Sequence, residues 1–228
     1  MKSEVFNIDC MKGMKNYPDN YFDLTVVDPP YGINRDKQNK TICKNPKHNR
    51  KQLMGGNWDI SPKKEYFVDL SRISKNQIIW GANYFVEYLS SPSMGWIVWY
   101  KGQQGLNMSD CELAYSNFST PTRVFILNRF VLNGENTFHP TQKPVKLYEW
   151  IFKNYAEEGM KILDTHLGSG SSRISAYNYG MDFTGYEIDK DYFEVAEKRF
   201  QNHVKSNVYK NDIWEKAKVE EKQTKLFS

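Results

Sequence analysis

Residues 161–187 read KILDTHLGSGSSRISAYNYGMDFTGYE, and this stretch decides the fold. Lys161 to Asp164 is a short apolar run that ends in an acid, which predicts a buried strand. A turn holding Gly168 and Gly170 follows. Ser171 to Tyr179 predicts a helix, and Gly180 stands where a helix C-cap belongs. Phe183 to Glu187 predicts the next strand and Tyr192 to Phe200 the next helix. Strand, helix, strand, helix in this order predicts a parallel α/β sheet with helices on its faces.

The same stretch predicts a cofactor site. Gly168 and Gly170 permit backbone angles closed to other residues and let a ligand approach the main chain closely. Leu167, Ser169 and Ser171 complete that turn, and Asp164 ends the strand that feeds it. Glu187 ends the following strand at an offset where a carboxylate can accept hydrogen bonds from ribose hydroxyls. A nucleoside-containing cofactor is implied. The third glycine of a dinucleotide fingerprint is replaced by Arg173, which disfavours a pyrophosphate and suits a phosphate-free cofactor such as S-adenosylmethionine.

Toward the N-terminus, Leu24 to Val27, Gln77 to Trp80, Trp96 to Tyr100 and Thr122 to Leu127 predict further strands. Val145 to Tyr155 predicts a helix, from Leu147, Ile151 and Tyr155 at helical spacing. The first of these strands runs into Asp28-Pro29-Pro30-Tyr31-Gly32. That motif therefore lies at the carboxyl edge of the sheet, where α/β folds bind ligands. Its chemistry follows from its residue types. An exocyclic amine on a nucleobase is a poor nucleophile because its lone pair is delocalised into the ring. Two acceptors on its hydrogens draw the nitrogen toward tetrahedral geometry and stabilise the positive charge that grows during attack. The Asp28 carboxylate is one acceptor, and a main-chain carbonyl of the Pro29-Pro30 unit, that of Pro29, is the other. The prolines fix the backbone and preorganise both. Tyr31 offers an aromatic face for a base.

Composition sets the surroundings. The chain has 228 residues, a net charge of +4, 39% hydrophobic and 15% aromatic residues. That length suits one domain with a proper core, and the aromatic content argues against disorder. No stretch approaches the apolar length of a membrane span, and the N-terminus lacks the apolar core of a signal peptide. Cys10, Cys43 and Cys111 are too few and scattered for a disulfide framework, so a reducing cytoplasm is the expected setting. The charge is unevenly spread. Residues 33–57 carry seven basic side chains and one acid, a net +6, which leaves −2 for the rest of the chain. By composition alone this reads first as a solvated loop. Its position directly after the Asp28 motif turns the reading toward a clamp on nucleic-acid phosphates, with Lys44, Lys47, Arg50 and Lys51 as the contacts.

On these residues the chain resembles the DNA amino-methyltransferases whose catalytic motif precedes the cofactor motif. The likeness runs from about residue 5 to about residue 200. It is carried by Asp28-Pro29-Pro30-Tyr31, by residues 76–85, by His139-Pro140-Thr141-Gln142-Lys143-Pro144, by Asp164 to Ser172, and by Glu187. The resemblance implies a Rossmann-like S-adenosylmethionine-dependent methyltransferase fold in residues 1–216, mostly parallel, with helices on both faces. It implies methyl transfer to the N6 amine of an adenine flipped out of double-stranded DNA, with no metal. It also places Asp9 and Cys10 near the cofactor's adenine and lets Thr141 and Lys143 help close the cofactor pocket. Many relatives have Pro-Phe ahead of the glycines, where this chain has Thr165-His166-Leu167. Relatives often dimerise, and many serve restriction–modification, so both are expectations here. Cytosine N4 is the nearest alternative target; a catalytically silent DNA-binding module and an enzyme acting on RNA or protein amides are others. The absence of a large separate recognition domain predicts a short recognition site.

Some signals carry less. The histidines and cysteines do not fall into zinc spacing, and Asp110-Cys111-Glu112 receives no role. Residues 217–228 read as a flexible tail. Within it, Gln223-Thr-Lys-Leu226-Phe227 resembles the peptide by which bacterial proteins dock on the replication sliding clamp, with a frayed end as the plain alternative.

Overall fold

The computed structural model describes residues 1–34, 59–89, 92–105, 109–128 and 141–207. Their strands are β1 (Ser3–Phe6), β2 (Phe22–Val27), β3 (Ser74–Trp80), β4 (Ile97–Tyr100), β5 (Cys111–Ser116), β6 (Arg123–Ile126), β7 (Lys161–Asp164) and β8 (Asp182–Tyr186). The helices are α1 (Cys10–Met14), α2 (Lys64–Ile73), α3 (Val145–Tyr155), α4 (Ser171–Asn178) and α5, over 190–207.

One eight-stranded sheet runs in the order β1-β8-β7-β2-β3-β5-β4-β6. Strands β1, β8, β7, β2 and β3 are mutually parallel. β5 runs antiparallel to both its neighbours, β3 and β4, and β6 pairs parallel with β4. The sheet is mostly parallel, as expected. β7 is buried at Ile162 and Leu163, which face opposite sides and join two separate cores. This is why a strand of an α/β sheet reads as continuously apolar rather than alternating.

Helices cover both faces. α3 turns Leu147, Tyr148, Ile151, Phe152 and Tyr155 onto one face, spaced as a single helical stripe. With Leu24, Val26, Ile78 and Trp80 they form one core, which α4 joins through Ala176 and α5 through Ala196. α2 covers the other face with Tyr66, Phe67, Leu70 and Ile73, packed on Phe22, Val27, Ile79 and Leu163.

The sequence expectations differ from the structure in identifiable places. Strands β1 and β5 and helices α1 and α2 are additions to the expected elements. β3 begins three residues earlier than expected, and the last helix extends beyond 192–200. The basic residues Lys44, Lys47, Arg50 and Lys51, together with the tail 217–228, lie outside the described residues.

Candidate active site

β2 and β7 are hydrogen-bonded neighbours, paired Leu24 with Ile162 and Thr25 with Leu163. Their carboxyl ends therefore open onto the same edge, and they bear the two motifs of interest: Asp28 follows β2 and Asp164 closes β7. β8 ends beside them at Glu187, and β1 leads to Asp9 and Cys10 on the same edge. Parallel pairing alone brings together residues up to 178 positions apart in the chain.

Around β2, Asp28 is held from two sides. Its Oδ1 accepts a hydrogen bond from the Tyr31 hydroxyl at 2.7 Å. Its Oδ2 contacts the Lys143 ammonium, which is itself almost fully buried. Lys143 also lies 3.2 Å from Glu112 Oε2 and donates to the Tyr31 hydroxyl at 3.4 Å. Glu112 Oε1 in turn receives Lys101 at 3.0 Å. The result is a chain of alternating charge, Lys101–Glu112–Lys143–Asp28, drawn from separate segments, with buried lysines and half-buried carboxylates. Burial holds the Asp28 carboxyl above its usual range; Lys143 opposes the rise and Glu112 adds to it. Burial disfavours the Lys143 charge, yet the two facing carboxylates outweigh it and hold its proton more tightly than usual. Burial works against Glu112 as well, but Lys143 and Lys101 bring it down to about 2.

Tyr31 is fixed from its other sides. Its ring stacks on Tyr84 at 5.0 Å and 20°, with Phe85 edge-on at 6.1 Å. Gly81, at φ +68°, sits so close that a Cβ there would lie 2.1 Å from the ring. The next residue after Tyr31, Gly32, donates its N–H to Asp59 Oδ1 at 2.9 Å. That bond holds Asp59 beside the Asp28 motif.

Around β7 lies the glycine turn. Asp164 is buried; Oδ1 accepts the His166 N–H at 3.0 Å and Oδ2 the Ser172 hydroxyl at 2.6 Å. Burial pushes its carboxyl up to about 7, against those two hydrogen bonds. Glu187 spans the turn, accepting from the N–H groups of Gly168 at 2.8 Å and Asp189 at 3.0 Å. Gly170, at φ +72°, starts α4. Ser169 and Ser171 hydrogen-bond each other, and Arg199 donates to the Ser169 carbonyl and the Ser171 hydroxyl. Leu167 is buried in the sheet core. The Thr165-His166 pair joins a relay: the Tyr66 hydroxyl lies 2.6 Å from Thr165 Oγ1, which lies 2.9 Å from His166 Nδ1. Burial lowers His166 to about 4, so its ring is neutral at ordinary pH. Arg173, in place of a third glycine, ties α4 to β1 and α5 through Ser3 and Glu197.

The remaining expected site residues flank this edge. Asp9 caps α1 by accepting the Met11 N–H at 2.8 Å, and burial raises the Cys10 thiol to about 12, so it is no nucleophile. Thr141 is exposed. Gln142, between it and Lys143, buries its side-chain amide with no partner among the described residues, as a group awaiting a ligand does. Lys143 itself lies against Asp28. Sequence reasoning missed Glu112, Lys101, Asp59, Tyr66 and Gly81. Glu112 stands out in the sequence as part of an acidic pair, but the partners that give it meaning come from residues 101 and 143.

A doubly covered, mostly parallel sheet with a glycine turn beside an Asp-Pro-Pro-Tyr edge defines the class of α/β methyltransferase folds. Residues 100–198 match the family model described as DNA methylase, of the N6/N4 methyltransferases. The chain is 24% identical to the Type II methyltransferase M.HpaI of Haemophilus parainfluenzae over 242 residues, covering 89% of this chain and 75% of that one. It is 39% identical to M2.DpnII of Streptococcus pneumoniae over 69 residues, which span only 26% of that protein. Among solved structures, the M1.HpyAVI–SAM complex aligns at TM-score 0.58 and 19% identity, covering 87% of this chain and all of that one. The cytosine-N4-specific PvuII DNA methyltransferase aligns at TM-score 0.61 and 11% identity, covering 88% and 86%. The chain is thus similar, over residues 100–198 and at 24% identity over most of its length, to DNA methylases of the N6/N4 type.

Proposed function

We propose that this protein transfers a methyl group from S-adenosylmethionine to the N6 amine of an adenine flipped out of double-stranded DNA. One observation carries the reading: Asp28 and Tyr31 stand at the carboxyl end of β2, directly beside the glycine turn that follows β7. A base amine at the first and a methyl donor at the second would meet across one strand spacing.

The residues present fit that cofactor. Gly168 and Gly170 give the turn its left-handed backbone, at φ +50° and +72°, Glu187 offers a carboxylate to ribose hydroxyls, and Gln142 has a buried amide with no partner among the described residues. Asp9, Cys10, Thr141, Asp164, Leu167, Ser169 and Ser171 complete the proposed lining. Bound there, the cofactor supplies a sulfonium methyl for direct displacement by the amine nitrogen. The protein's part is to align and to solvate charge. Asp28 and the Pro29 carbonyl accept the amine hydrogens, and the fixed Tyr31 and Lys143 hold Asp28 in place as positive charge grows on nitrogen. Adenine is favoured because the Asp-Pro-Pro-Tyr form resembles that of the adenine enzymes. Cytosine N4 is the second reading, since the matching family covers both amines.

The basic stretch is proposed to grip the DNA backbone, because it follows the Asp28 motif directly in the chain. The reading is tested by incubating the purified protein with methyl-tritiated cofactor and duplex DNA, then separating the nucleosides. Label in N6-methyladenine is expected; label in N4-methylcytosine selects the second reading, and no label in any DNA refutes both.

A further inference from the structure

How strongly Asp28 accepts from an amine depends on how much of its buried counter-ion's charge is spent on it, since an ionised carboxylate keeps further acceptor sites beside an ion pair. Lys143 is that counter-ion. It has three N–H bonds, and its oxygen neighbours among the described residues include Asp28 Oδ2, Glu112 Oε2 and the Tyr31 hydroxyl. Glu112 thus takes one of the three donors and shares the charge. Glu112 sits inside β5, where an unpaired carboxylate would be costly, and Lys101 at 3.0 Å supplies its second cation. The four charges balance in pairs, and Lys101 and Lys143 are both under a tenth exposed, so solvent screens them little.

We infer that Glu112 is a positioning residue for the reaction: held by Lys101, it shares the Lys143 ammonium with Asp28 and so keeps the Asp28 carboxylate a stronger acceptor for the target amine. The inference rests on the proposed role of Asp28. It assigns work to a strand residue outside the Asp28 motif and the glycine turn. The groups facing Asp28 are Tyr31 from its own loop, Lys143 ahead of α3, Glu112 from β5 and, further off, Tyr148 of α3, Tyr66 of α2 and Asp164 of β7. The Glu112 charge raises the basicity of Asp28 by like-charge repulsion, while its contact with Lys143 shares the cation that lowers it.

The test is Glu112→Gln, with Glu112→Asp as the conservative control. In single-turnover methylation, Gln should lower the rate of the methyl-transfer step by roughly tenfold or more while the Kd for DNA changes less than about twofold. The acid limb of its rate profile should move to lower pH, because Lys143 then acts on Asp28 alone. Glu112→Asp should recover part of the rate and return the limb toward its original place. A wild-type rate of methyl transfer in the Gln variant would overturn the inference, as would a rate loss with an unmoved limb that Asp fails to recover. A carboxyl ¹³C titration of Asp28 in the same proteins reads the effect without catalysis: its midpoint should fall in Glu112→Gln. If the wild type methylates nothing yet that midpoint falls, the activity reading fails while the electrostatic role of Glu112 stands; an unmoved midpoint refutes the role itself.

Discussion

Asp28 is the residue on which the proposed chemistry turns, and its surroundings make its substitution informative. Asp28→Asn keeps the shape and the Tyr31 contact but removes the negative charge. Methyl transfer should fall by at least about a hundredfold, while the cofactor dissociation constant, read by calorimetry, changes little because the glycine turn is untouched. Asp164 makes a pH prediction. Its folded carboxyl titrates near 7 against an ordinary value of 3.8, so the protonated form is favoured in the folded state. The stability this confers is complete below about pH 4 and is lost as pH rises through about 7, an effect of up to a few kcal/mol. The thermal midpoint of the ligand-free protein should decline across that window, and Asp164→Asn should flatten the decline. Motif residues such as Asp28, Tyr31, Gly168 and Glu187 are legible in the sequence because each sits a fixed few positions from a strand end. Glu112 and Lys101 are not, because a buried charge is explained only by its partners, and Glu112 finds its own 11 and 31 positions along the chain.

At the scale of elements, the turn after β3 and helix α2 bear the site without touching its chemistry. Gly81 has a left-handed backbone and no room for a Cβ beside Tyr31. Gly81→Ala should cost about 1–3 kcal/mol and displace the Tyr31 ring; chemical denaturation reads the first and the fall in methyl transfer the second. Leu70 of α2 is fully buried against β2 and β3. Leu70→Ala should cost about 2–5 kcal/mol through the cavity it leaves. The buried parallel strands β2 and β7 and helix α3 are readable because apolar runs and helical stripes are local signals. β5 is not, since its first half carries Glu112 between half-buried neighbours. α2 hides its stripe of Tyr66, Phe67, Leu70 and Ile73 among Lys63, Lys64, Glu65, Asp69 and Arg72.

Over the whole molecule, adjacency of β2 and β7 unites two motifs that the chain separates by more than a hundred residues. Both motifs and the parallel sheet are legible in the residues, but which strands are neighbours is a property of the assembled sheet and leaves no local signal. The net +4 likewise means little until the +6 of residues 33–57 is seen to follow the Asp28 motif directly in the chain. Replacing Lys44, Lys47, Arg50 and Lys51 with alanine should flatten the salt dependence of DNA binding, by about 0.9 in logarithmic slope for each phosphate no longer neutralised. An unchanged slope would remove the segment from the DNA interface. Deleting the last six residues should abolish capture by a sliding clamp if the Gln223–Phe227 peptide docks there. The central claim, methyl transfer to adenine in DNA, is met most directly by methylating unmodified genomic DNA with the purified protein and mapping modified bases by sequencing. N6-methyladenine at one short recurring sequence is the predicted result; DNA that carries no new methyl group, or only N4-methylcytosine, would contradict it.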